Sequence, residues 1–585
     1  MKLPAFIWIL LMSCLCSNAQ YAVNGNISNE YSEKLKDVRL VVKSTQQVFR
    51  TDSYGIFRVV IPQMHDTLLI SLKGYEPLRL KIACSDDYVE LKLKMLPSEA
   101  SLRKNRLASL IKGKNAKNLN WTVGNESYSA LIENPVVPVQ DLPVVSFSAN
   151  NNVASYSNVR RFLNMDELVP PDALRIEEVM NYFNFLYKEP PPNQTFAGQS
   201  LLTTCPWNPL KYLLWVNASA RKVDMSKSPP NNIVLLIDNS GSMDKPNKIG
   251  LLKTGIKQMV NQLRAIDTIS VVAYGSTVSV LIEGASGNDK QKIIAAIEKL
   301  QPSGPTPGAE GIVEAYRVVN KNLIPGGNNR IILASDGDFN VGVTTEKQLE
   351  ELIDNQKKQG VYLTCLGVGM GNYKDSKLSI LAYKGNGNFS YIDNDLEAEK
   401  VLVTEMSQTL FSVAGNVHLV ANFNPLLVKD YRLIGYDNNK AALADTASRL
   451  LGGEIGSGHS LAAVFELTLQ PDGLQNRKVI ADMRVNYQLP NSKKQAFISF
   501  NCPNSLTPLA FADSNYKRAV TLLMFSMKLK SSECMAHYSW KEIQTMAHLN
   551  FKESRNYLYH EFSGLVDLAK KIYNSRKGRK ELRGD

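Results

Sequence analysis

The sharpest pattern in the chain lies between residues 226 and 412. Ile233-Val-Leu-Leu-Ile237 is an unbroken apolar run, and residues 248–263 then set Ile249, Leu252, Ile256, Met259, Val260 and Leu263 at helical spacing. The alternation continues. Strands are predicted at Ile269–Tyr274, Val278–Ile282, Arg330–Ala334, Val361–Val368 and Phe389–Ile392. Helices are predicted at 289–300, 308–323, 345–359, 375–384 and 396–412. Fully apolar strands interleaved with helices predict a parallel sheet covered on both faces, a doubly wound α/β domain.

The flanks follow a different period. Residues 21–97 hold short alternating runs, such as Val38–Val42, Ile56–Ile61, Thr67–Leu72 and Val89–Lys94, separated by turn residues such as Asp52-Ser-Tyr-Gly55. That spacing predicts a small β-sandwich. Residues 98–145 read as a basic, then Pro- and Asn-rich linker. Residues 146–225 are mixed, with a helix around Ala173–Phe185 whose first turn carries Glu177 and Glu178. Strand patterns return over 413–507, and 508–585 is helical with a basic tail. Regions 146–225 and 413–507 are expected to pack as one discontinuous β domain into which the α/β unit is inserted.

Charge alters this picture little. The formal net charge is +12, which raises the question of nucleic acid. Residues 101–117 contribute six basic residues and no acid, and residues 570–585 seven basic residues and two acids. The excess therefore sits in a linker and a tail, and no nucleic-acid partner is expected. Lys2 followed by Phe6–Met12 and the small residues up to Ala19 reads as a signal peptide over residues 1–19. Leu11-Met-Ser-Cys14 is an alternative lipoprotein box. An exported protein of the periplasm or cell envelope is expected, with membrane contact only through a lipid on Cys14 or through the basic segments. Five cysteines follow the leader (Cys84, Cys205, Cys365, Cys502, Cys534), with no C-x-x-C, so a zinc site is not expected and one disulfide stays open.

The candidate chemistry is Asp238-Asn-Ser240-Gly-Ser242, at the end of the first apolar strand. Ligands of open α/β sheets collect at the carboxyl ends of strands. One carboxylate and two hydroxyls spaced by two, on a turn eased by Gly241, could aim three hard oxygens at one point. Ser303-Gly-Pro-Thr306-Pro-Gly308 adds another oxygen at a helix start, and Asp336 ends the next strand in Ser335-Asp-Gly337.

These three loops resemble the metal-ion-dependent adhesion site of von Willebrand factor type A (VWA) domains. The resemblance implies Mg²⁺ or Mn²⁺ held directly by Ser240 and Ser242, neutralised by Asp238 and Asp336, and bound directly or through water by Thr306. It also implies a protein ligand that offers an Asp or Glu carboxylate. Ala154–Leu163, Arg175–Phe183, Ser335–Gly342 and Gly453–His459 are similar to signatures of the YfbK-like family of bacterial VWA proteins. Asn150 and Asn152 depart from that family's D-x-D. Thr51–Phe57 with Gly74-Tyr75 resembles the carboxypeptidase-regulatory-like domain, which carries no catalytic residues.

Two glycine loops are expected to be plain turns. Gly453-Glu-Ile-Gly-Ser-Gly-His459-Ser has P-loop spacing but His in place of Lys, and it is followed by a strand pattern. Gly367-Val-Gly-Met-Gly371 lacks dinucleotide spacing. No G-x-S-x-G and no H-E-x-x-H occurs. The reading is thus an exported, non-enzymatic binding protein. The alternatives are a structural component of an envelope assembly with an incidental metal site, and a metal-assisted hydrolase using an acid such as Asp338.

Overall fold

The computed structural model describes residues 21–29, 34–94 (except 74, 84, 86 and 87), 126–185 (except 127, 130, 150 and 151), 187–304, 307–337, 346–370, 373–437, 452–490 (except 472 and 476–478), 494–551 and 556–581. Residues 1–20, 95–125 and 582–585 lie outside them, as do Thr306 and Asp338. The chain divides into two units, Met1–Leu110 and Ile111–Asp585.

In the first unit, Tyr21–Asn29 pairs antiparallel with Ile56–Ile61 and parallel with Tyr88–Leu93. A second sheet joins Val48–Arg50, Arg39–Val42, His65–Ser71 and Leu78–Ala83 in that order. Val23, Ile27, Leu40, Val59, Leu68 and Leu93 share the core. The alternating burial of Ile56–Ile61 shows why: one face is apolar and inward, the other solvated.

The second unit holds the α/β domain, whose strands we number β1 (Asn231–Asp238), β2 (Thr268–Tyr274), β3 (Val278–Ser286), β4 (Asn328–Ser335), β5 (Val361–Val368) and β6 (Asn386–Ile392). Their order across the sheet is β3-β2-β1-β4-β5-β6. The helices are α1 (Leu251–Gln262), α2 (Lys290–Glu298), α3 (Gly308–Lys321), α4 (Glu346–Lys358) and α5 (Asp375–Lys384). Ile233, Leu235 and Ile237 of β1 meet α1, α2 and residues 395–410 on one face. Val234 and Leu236 meet α3, α4 and α5 on the other. Both faces are covered, so the central runs Ile233–Ile237 of β1 and Ile331–Ala334 of β4 are apolar at every position. The sheet is not wholly parallel: β3 runs antiparallel to β2. Their connection is Gly275–Thr277 alone, and a parallel return needs a crossover of a dozen residues or so.

Around this domain, Phe196–Thr204, Tyr212–Ala220, Ser460–Leu469, Val428–Ile434 and Val137–Pro138 form one sheet. Ser412–Phe423 carries Gly453–Gly456, Val479–Gln488 and Val144–Ser148, and Gln495–Pro503 extends the second sheet. Segments before and after the α/β domain therefore share both sheets, and Phe147, Leu214, Val216, Leu419, Phe465 and Val485 share the core between them. Leu213 and Trp215 point the other way, into a helical layer of Ala154–Asn164, Ile176–Phe183, Ser514–Leu529, Trp540–Phe551 and Tyr557–Glu581. Phe562, Leu565, Val566, Ala569 and Ile572 of the last helix are buried there, so it is a packed element. Cys205, Cys365, Cys502 and Cys534 are free thiols.

Candidate functional site

The strand order reverses between β1 and β4, and a crevice at that switch point collects ligands. Asp238 ends β1 and Asp336 follows β4, so parallel pairing of Ile237 with Ala334 puts both carboxylates at this edge. Asp238 and Asp336 are fully buried, Ser240 is 1% exposed and Ser242 is half-buried. Ser240 Oγ lies 3.1 Å from Ser242 Oγ, and the Ser242 hydroxyl donates to Asp336 Oδ2 at 2.8 Å. Asp238 is set slightly behind. Its Oδ1 accepts the Ser240 N–H at 3.0 Å and its Oδ2 accepts the Ser335 hydroxyl at 2.7 Å.

Backbone bonds fix the loops that carry these groups. Ser303 N–H donates to Asn239 O at 2.7 Å and Gly241 N–H to Gly304 O at 3.0 Å, tying the loop before α3 to the Asp238 turn. Lys374 N–H donates to Asp336 O at 3.0 Å, tying Asp336 to the start of α5. Gly241 does not adopt left-handed backbone, and a Cβ there would meet only Gly304 O at 3.6 Å, so the turn does not require a glycine at that position.

The converging donors are two carboxylates and two hydroxyls, a hard oxygen set suited to Mg²⁺ or Mn²⁺. Burial pushes the Asp238 carboxyl up to about 6; the Ser240 and Ser335 hydrogen bonds oppose this, and the Asp336 charge adds to it. A cation at this edge relieves negative charge that burial otherwise penalises. The protein supplies one itself. Lys248, 1% exposed, puts Nζ 2.9 Å from Asp336 Oδ2. Sequence reasoning missed Lys248 and Ser335. A signal for Lys248 exists: it sits four residues before Leu252 and eight before Ile256, on the buried stripe of a helical pattern, where a lysine needs a partner.

Of the five predicted ligands, Asp238, Ser240, Ser242 and Asp336 are brought together, and Thr306 lies outside the described residues. Asn152 has another duty. Its Oδ1 accepts the Phe389 N–H at 2.9 Å, so a neutral amide serves as a buried acceptor joining the flanking region to β6. The segment Gly453–Ser460 is a strand, a turn and the start of the next strand. Within it His459 is 3% exposed, and among the described residues neither ring nitrogen has a hydrogen-bond partner. Burial, then the Lys400 charge, pushes it down to about 3. A base with a depressed folded pKa contributes full stability above its unfolded value of roughly 6.5 and loses it as pH falls. By pH 5 that loss is about 2 kcal/mol. His459→Leu is expected to lose correspondingly less stability than wild type between pH 7 and pH 5 in urea unfolding; parallel losses would refute this role.

Comparison with known proteins agrees with this architecture. The family model described as "von Willebrand factor type A domain" matches residues 232–406. Models described as "von Willebrand factor" and "Uncharacterized protein YfbK, C-terminal" match 122–215 and 408–572. The sheet order, the strand-end loops and these matches define a VWA-domain protein, a class whose domains commonly bind a divalent metal. YfbK of Escherichia coli (strain K12) is 35% identical over 470 residues, covering 76% of this chain and 81% of that protein. The chain belongs to the YfbK family. Human inter-alpha-trypsin inhibitor heavy chain H2 is 30% identical over 148 residues, 24% of this chain and 16% of that one. Among solved structures, a von Willebrand factor type A protein from Catenulispora acidiphila is 15% identical, covers 55% of this chain and 76% of that chain, and gives a TM-score of 0.36.

Proposed function

We propose that this protein captures a protein ligand through a divalent-ion-dependent adhesion site made by Asp238, Ser240, Ser242, Thr306 and Asp336. The observation that carries this is the contiguous run of oxygens, Ser240–Ser242–Asp336 at 3.1 and 2.8 Å, at the switch point of the sheet. When bound, Mg²⁺ or Mn²⁺ supplies a Lewis-acidic position that accepts a ligand's Asp or Glu carboxylate. The chain's own groups do the rest. Ser240 and Ser242 present hydroxyl lone pairs, Asp336 supplies buried negative charge, and Asp238 holds the turn through the Ser240 N–H. The role in this reading is binding and not catalysis: the carboxylate that accepts the Ser242 hydroxyl, Asp336, is assigned to the ion.

The protein acts in this reading as an exported component of the periplasm or envelope, with Cys14 or the basic segments as the routes to a membrane and no nucleic-acid partner. Residues 21–97 serve as a carboxypeptidase-regulatory-like accessory domain, a reading supported by the two-sheet sandwich of their described residues. The test is calorimetric titration of Mg²⁺ and Mn²⁺ into the full-length chain. One-site binding is expected, weakened at least tenfold in Ser242→Ala, which removes a ligand from a half-buried position without opening the core. No heat of binding from the folded wild type, or equal affinity in the variant, would reject this assignment.

A further inference from the structure

The metal reading leaves Lys248 unused, yet the fold builds a place for it. The lysine is on the turn Pro246–Gly250 that leads into α1, and its N–H donates to Lys245 O at 3.0 Å. Its methylene stem crosses Gly369, where an added Cβ would lie 2.2 Å from Lys248 Cε. Gly369 has a φ of +82°, and its carbonyl accepts the Tyr391 hydroxyl at 2.5 Å, so the groove floor is fixed from beneath. The ammonium and the Ser242 hydroxyl share one atom, Asp336 Oδ2, at 2.9 and 2.8 Å. That hydroxyl and that carboxylate are two of the groups assigned to the divalent ion.

We infer that Lys248 is a resident cation of the adhesion site, holding Asp336 when no divalent ion is bound and competing with the ion for it. The inference rests on the ion-dependent reading above and concerns how that site is regulated. Charge arithmetic gives its direction. With both carboxylates ionised, the fully buried Asp238 and Asp336 bring −2 to this edge, and the buried Lys248 reduces this to −1. The ion-free site thereby stays folded. A divalent ion held by Ser242 and Asp336 would share Oδ2 with the buried Lys248 ammonium, and repulsion between the two cations would weaken ion binding. The lysine therefore sets an ion threshold below which the site remains closed on itself. A lysine whose role is only to cap a buried ion pair would leave ion affinity unchanged.

The experiment compares full-length wild type, Lys248→Met and Lys248→Arg by Mg²⁺ calorimetry and by thermal melts in EDTA and in excess Mg²⁺. Lys248→Met is expected to bind Mg²⁺ at least tenfold more tightly, to melt lower than wild type in EDTA, and to recover in Mg²⁺. Lys248→Arg keeps the charge and is expected to stay within a factor of three of wild type. Lys248→Gln, uncharged but polar, carries the same comparison where the Met variant does not fold in either condition. Equal Mg²⁺ affinity in wild type and the uncharged variants overturns the inference and leaves the adhesion site standing. No Mg²⁺ binding by any of the folded proteins overturns the adhesion reading and this inference with it.

Discussion

Arg160→Met is expected to destabilise the protein by about 3–5 kcal/mol, the cost typical of removing one partner from a buried charge cluster. Arg160 lies on the helix Ala154–Asn164 with its side chain 3% exposed. Its Nε donates to Asp393 Oδ2 at 2.8 Å, its Nη2 to Glu397 Oε2 at 2.7 Å and its Nη1 to Glu561 Oε1 at 2.9 Å. Asp393 and Glu397 follow β6 of the VWA domain, and Glu561 belongs to the last helix. One guanidinium therefore joins the inserted domain to two elements of the helical layer, and its removal leaves three carboxylates together. Burial already pushes Asp393 up, and Arg160 is what opposes the rise. Without the arginine, the folded carboxyls hold protons more tightly than the unfolded ones do. The sign follows: destabilisation is full above the variant's folded pKa values and shrinks as pH falls and the acids protonate. Urea unfolding of wild type and variant at pH 8 and pH 5 measures both features. A loss below about 1 kcal/mol, the range of exposed pairs, or one that does not shrink at pH 5, would contradict this account.

The same cluster marks where sequence reading stopped. β1 was legible because both of its faces are covered, so Ile233–Ile237 is apolar throughout and its end locates Asp238. The helix Ala154–Asn164 was not legible as a helix. Ser155, Ser157, Asn158, Arg160 and Arg161 are buried with its apolar residues, so no solvated face exists to create a helical period. Those polar side chains are satisfied by partners distant in sequence, such as Glu126 for Arg161 and Glu178 for Ser155. The register of Tyr212–Ala220 against Ser460–Leu467 was equally out of reach, because about 240 residues and a whole domain separate the two strands. Four of the five ligand candidates could be placed together from motif and strand ends alone, since parallel strands bring their carboxyl ends to one edge. Lys248 could not, because its role depends on where Gly369 and Asp336 lie in space.

Asp336→Ala is expected to cost about 3–5 kcal/mol and to abolish divalent-ion binding, so on its own it cannot separate folding from function. The mutation removes the carboxylate that neutralises Lys248, whose side chain is 1% exposed. A buried ammonium facing an alanine carries the desolvation cost without the Coulombic return. Adding Lys248→Met to Asp336→Ala removes the charge while keeping a flexible apolar chain of similar length over Gly369. The double variant is therefore expected to regain most of the lost stability, with a coupling energy of at least about 2 kcal/mol across the cycle. Ion binding is not expected to return, because the oxygen that received both Ser242 and Lys248 is gone. Chemical denaturation of all four proteins gives the coupling, and Mg²⁺ calorimetry on the same samples gives the ion affinity. Additive stabilities would mean that the pair does not interact across its 2.9 Å contact. Restored ion binding in the double variant would mean that Asp336 acts only through the lysine, and the ligand set would then need another anion.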